Sequence, residues 1–85
     1  GYIVESNYEN GLGRSDIVIK DRRNRRAAVI EAKIAANENE MEKECGAALS
    51  QIEEKQYARK LERSGFRKVI RYGIAFYKKE CLVRC

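Results

Sequence analysis

Residues 13 to 34 leave this chain few ways to fold. They read Gly-Arg-Ser-Asp at 13–16, an apolar run to residue 19, a basic turn, and a second run closing Val-Ile-Glu-Ala-Lys-Ile at 29–34. A turn centred between Arg23 and Asn24 makes a β-hairpin in which residues whose numbers sum to 47 face each other, so Asp16 stands opposite Glu31. Directly opposed residues share a face, with Cβ atoms about 4.5–5.5 Å apart. Lys33 lies two positions beyond Glu31 and points the same way, while Ile17, Ile19, Ala28, Ile30, Ala32 and Ile34 point to the other face. Two acids and an amine on one side of a central hairpin are costly to bury unless they are paired or bound to metal. Two carboxylates at that separation repel, and a divalent cation relieves the repulsion; hard oxygen ligands suit magnesium or manganese. With no His, and Cys only at 45, 81 and 85, the chain offers no zinc set. A slip of one residue in the turn would send one strand's charges to the far side.

The spacing Asp16, then Glu31-Ala32-Lys33, resembles the active-site motif of the PD-(D/E)XK nuclease superfamily, the restriction-endonuclease-like fold. The longer string extends the likeness: residues 6–19, Ala-Leu-Ser-Gln-Ile at 48–52, Tyr57, and Tyr-Gly-Ile-Ala-Phe at 72–76. Together these are similar to the nuclease-like domain that follows an AAA-ATPase-like domain in many bacterial and archaeal proteins, over nearly the whole chain. The resemblance implies an α/β (α+β) fold, a mixed sheet of about four to five strands with one long helix. The helix that usually precedes such a sheet has no counterpart here, so the expected context is the C-terminal piece of a longer protein with an AAA-ATPase-like domain. It further implies Mg²⁺ or Mn²⁺ held by Asp16 and Glu31 with the backbone carbonyl of Ala32, and Lys33 as the amine that orients water or stabilises charge. It places Gln51 beside the metal or a substrate phosphate, and Tyr57 against a strand of nucleic acid. Glu9 is either a further metal ligand or a solvated loop carboxylate. Arg14 either meets a phosphate or pairs with Glu9 or Asp16.

Eighty-five residues make one small domain, which buries only about 60–65% of its unfolded surface and is marginal alone. A net charge of +5 suits a polyanionic partner, although 13 acids are interleaved with 18 bases. The three Cys have no framework spacing, and no signal peptide or long apolar run is present. The expectation is therefore a cytoplasmic domain with reduced thiols and no membrane contact. A marginal chain with an exposed helix face can also dimerise with its own copy.

Along the chain, Tyr2-Ile3-Val4 reads as a first strand and Asn10-Gly11-Leu12-Gly13 as a turn. Four Arg between residues 22 and 26 are either phosphate contacts or a solvated hairpin tip, the second being the stronger reading. Asn37 caps a helix over roughly 39–63, on which Met41, Cys45, Ala48, Leu49 and Ile52 form a stripe expected to cover the isoleucine-rich face of the hairpin. Beyond Glu53 the stripe fails, Tyr57, Ala58 and Leu61 project from another side, and a bend is one solution. Lys55, Arg59 and Lys60 read as a solvated face. Ser64-Gly65 closes the helix, 68–76 is a strand, and Cys81-Leu82-Val83 is a short edge strand with Cys81 in the core.

The expected activity is metal-assisted hydrolysis of a phosphodiester in nucleic acid, DNA foremost. Two alternatives from other classes stay open. One is a nuclease-fold module that binds nucleic acid or a partner protein without turnover, in a manner that survives chelation. The other is an accessory domain in which Asp16, Glu31 and Lys33 form a buried ion-pair network.

Overall fold

The computed structural model describes the backbone of residues 2–9 and 14–85, and the side chains of 2–6 and 16–85. Five strands form one sheet in sequence order: β1 (Tyr2–Glu9), β2 (Arg14–Asp21), β3 (Arg26–Ile34), β4 (Lys68–Tyr77) and β5 (Glu80–Arg84). All neighbours are antiparallel except β3 and β4, which run parallel. A parallel pair needs a long crossover, and here it is helical: a 3₁₀ turn (Glu38–Glu40), α1 (Met41–Glu54) and α2 (Tyr57–Arg63). The fold is α+β with a mixed sheet, consistent with the restriction-endonuclease-like class.

The β2–β3 register is the one the turn implies. Asp16 pairs with Glu31, and Asp21 with Arg26. Asp21 fastens the reversal, accepting from Asn24 Nδ2 at 2.9 Å and Arg26 Nε at 2.9 Å. Asn37 caps the crossover as expected, its side chain accepting from Glu40 N at 3.0 Å. Gly65 takes φ +102° past the end of α2, where a side chain would be strained.

The sheet face that the helices cover is the opposite of the one expected. Val18, Ala27 and Val29 pack with Ile52, Leu61 and Phe66, while Ile17, Ile19, Ala28 and Ile30 lie half-buried on the bare side and Ile34 is 68% exposed. Met41, Cys45, Ala48 and Ile52 do form the buried stripe of α1. They press on the side that carries Asp16 and Glu31. A Cβ on Gly73 would stand 2.5 Å from the Cys45 carbonyl and 3.0 Å from Leu49 Cγ, so α1 lies directly against β4 there. Cys81 is a second correction: it sits on β5 with its side chain exposed rather than in the core, since the edge strand has no helix over that side. The helix expected over roughly 39–63 is divided into α1 and α2. It breaks at Gln56, which adopts a left-handed conformation (φ 56°, ψ 34°).

Candidate active site

Asp16, Glu31 and Gly73 form one row across β2, β3 and β4, on the helix side of the sheet. Asp16 is 4% and Glu31 0% exposed, so both acids are inside the protein. Along β3, Glu31 lies between two apolar clusters, one including Val29 and the other Ala35 with Met41, Cys45 and Ala75. Both acids are therefore walled by packed side chains.

The cation that meets them comes from the helix break. Lys55 Nζ lies 2.7 Å from Asp16 Oδ2 and 3.7 Å from Glu31 Oε1. The Tyr57 hydroxyl donates to the same Asp16 Oδ2 at 2.8 Å. In an unbroken helix, residues two apart point about 200° away from each other and do not meet on one carboxylate. The left-handed Gln56 removes that restriction. Burial works to raise the Asp16 carboxyl, but hydrogen bonding with Glu31, Lys55 and Tyr57 outweighs it and holds the group below its ordinary 3.8. Burial likewise works against the Lys55 ammonium. Its bond to Asp16 and the charge of Glu31 prevail, keeping it above its ordinary 10.5 and charged at neutral pH.

Lys33 follows Glu31 by two positions on β3 and is half-buried opposite Ala75. Among the described residues it makes no ion pair with either acid; Lys55 takes that role, and its reading as part of a solvated face is corrected. The Tyr57 phenol is bonded to Asp16 and its ring packs against the core. Gln51 lies one turn before Lys55 on α1, half-buried, with its Oε1 buried and without a hydrogen-bond partner among the described residues. Ala32 is beside Glu31, paired with Ser15 and Ile74. The backbones of Glu9 and Arg14 pair at the end of the β1–β2 ladder, and the roles expected of their side chains lie outside the described residues. At the hairpin tip Arg26 is engaged by Asp21, while Arg22 and Arg25 line a hollow with Lys20 and residues 64–66.

Lys55 had a signal in the sequence, its spacing of four from Gln51, which puts both on one side of a helix. The acid pair also carries more negative charge than one amine offsets. Tyr57 was singled out by the family resemblance, but its bond to Asp16 had no signal, because neither Gly nor Pro marks the break at residue 56.

The donors present fit a hard divalent ion. Two opposed carboxylates already hold a cation in the form of an ammonium, and Mg²⁺ is commonly bound by one or two carboxylates with water and phosphate completing its shell. No group of three or more acid, Cys or His ligands occurs among the described residues.

Neither a curated protein nor a solved structure matches the chain. A family model described as the PD-(D/E)XK nuclease superfamily matches residues 1–84, the span that carries the opposed acids, the Glu-Ala-Lys strand and the crossover helix. The chain belongs to the PD-(D/E)XK nuclease superfamily.

Proposed function

We propose that this domain hydrolyses phosphodiester bonds of nucleic acid, DNA foremost, with Mg²⁺ or Mn²⁺ held between Asp16 and Glu31. The observation that carries this reading is the buried pair itself: two acids opposed across a hairpin, with a cation already between them. A divalent ion bound there lowers the pKa of a water and neutralises charge on the phosphate. The other work belongs to side chains of the chain. Asp16 and Glu31 supply ligand oxygens, and Tyr57 keeps Asp16 ionised and aimed by donating to one of its oxygens. Lys33, on the same side of β3 and closer to solvent, is placed to meet the negative charge that develops on the phosphorus oxygens. Gln51, one turn from the acids' ammonium, offers its amide to a phosphate or a water. The context we propose is a longer cytoplasmic parent protein with an AAA-ATPase-like domain.

A second reading is favoured by the same ammonium: an acid pair that already holds a cation from its own chain needs no metal, and the domain then binds nucleic acid or a partner protein without turnover. Labelled DNA and RNA incubated with the parent protein and Mg²⁺ or Mn²⁺, beside Asp16→Asn and Lys33→Ala, separate the two. Cleavage that either substitution reduces by about 10²-fold or more supports the nuclease. Binding that persists in chelator, with no cleavage by the parent, supports the other reading.

A further inference from the structure

We propose that Lys55 is the internal counter-cation of the acid pair, filling the place of the divalent ion in the metal-free protein and withdrawing when metal enters. The inference rests on the reading of Asp16 and Glu31 as a metal site, and adds a competitor built into the chain. Lys55 Nζ bridges the two carboxylates, at 2.7 Å from one and 3.7 Å from the other. A divalent ion ligated by both acids takes the space between them, and an ammonium sharing it would face a like charge at contact distance. One cation must leave.

The surroundings of Lys55 allow that departure. Its side chain is 26% exposed, against 5% and 0% for the acids, so the amine reaches the pair from the solvent edge. Its backbone caps α1 immediately before the left-handed Gln56, in a two-residue link between helices. The flexible four-carbon stem can therefore turn outward with both helices still packed. Tyr57 keeps its bond to Asp16 Oδ2 without the amine, so the carboxylate stays oriented while the cations exchange. Its ring lies 5.9 Å from the Lys55 ammonium and offers a surface along which the amine can withdraw.

Competition of this kind lowers apparent metal affinity by the fraction of molecules in which the amine has already left. If that fraction is about one in ten, removing the amine tightens metal binding about tenfold. Mn²⁺ titrated into the parent, Lys55→Met, Lys55→Gln and Asp16→Asn, followed by calorimetry and by thermal melting, tests this. The expected result is a lower melting temperature for Lys55→Met without metal, a difference from the parent that closes at saturating Mn²⁺, and affinity raised about tenfold in Lys55→Met and in the more conservative Lys55→Gln. Folding of Lys55→Met only when Mn²⁺ is present supports the same conclusion. If both Lys55 variants bind Mn²⁺ no more tightly than the parent while Asp16→Asn loses binding, the metal site stands and the counter-cation is overturned. If neither the parent nor either Lys55 variant binds Mn²⁺, the metal reading itself fails and this inference fails with it.

Discussion

Gln56 is the residue on which the site's arrangement turns. A left-handed backbone costs a residue with a side chain about 1–2 kcal/mol, and here it brings Lys55 and Tyr57 to one carboxylate. Gln56→Val should lower stability by a similar amount, about 1–2 kcal/mol in urea unfolding, because a β-branched residue tolerates that region least. Gln56→Gly should hold or raise the melting temperature. Tyr57→Phe removes one donor to a buried ionised acid and should cost about 1.5 kcal/mol at neutral pH. The sign of its pH dependence follows from Asp16, whose carboxyl is held below 3.8 in the folded protein. The stability this lends is present above 3.8 and is lost as pH falls through the lower folded value. The gap between Tyr57→Phe and the parent should therefore narrow in unfolding curves measured below pH 3.8. None of this was legible at residue 56, where Gln reads as an ordinary helix former.

Among the elements, the hairpin was the most legible, because a seven-residue basic and polar segment at 20–26, between two apolar runs, leaves a register that keeps Asp16 and Glu31 on a common side. Which side the helix would cover was not legible. Residues 27–30 are apolar at every position, as are 17–19, and a central strand flanked by partners reads as a continuous apolar run whichever face is packed. Gly73 helps to settle the choice by letting α1 rest on β4 beside Glu31. Gly73→Ala should cost about 1–3 kcal/mol by overpacking, measured by chemical denaturation, since the Cβ meets the Cys45 backbone carbonyl and not the end of a flexible side chain. The β2–β3 turn makes its own contribution through Asp21, which hydrogen bonds from Asn24 and Arg26 hold below 3.8 against a smaller effect of burial. Its fastening is present above 3.8 and is released as pH falls below the folded value. Asp21→Asn should accordingly flatten the acid limb of a melting-temperature profile.

For the molecule as a whole, the radius of gyration is 13.2 Å, against about 12 Å for a compact domain of 85 residues. The excess fits a sheet with helices on one side only. Its other side carries Val4, Ile34, Phe76 and Val83, each between 42% and 68% exposed, with half-buried Ile17, Ile19, Ile30 and Ile74 among them. An apolar surface of this extent is unusual on a monomer. Water meets this side as it would an oil film. The 85-residue chain in dilute buffer should light up an environment-sensitive dye while fully folded, and should scatter light increasingly as it is concentrated. Ile34→Lys with Phe76→Lys should quench both signals and leave the folding stability, measured by urea unfolding, within about 0.5 kcal/mol of its starting value, as befits substitutions outside the packed side.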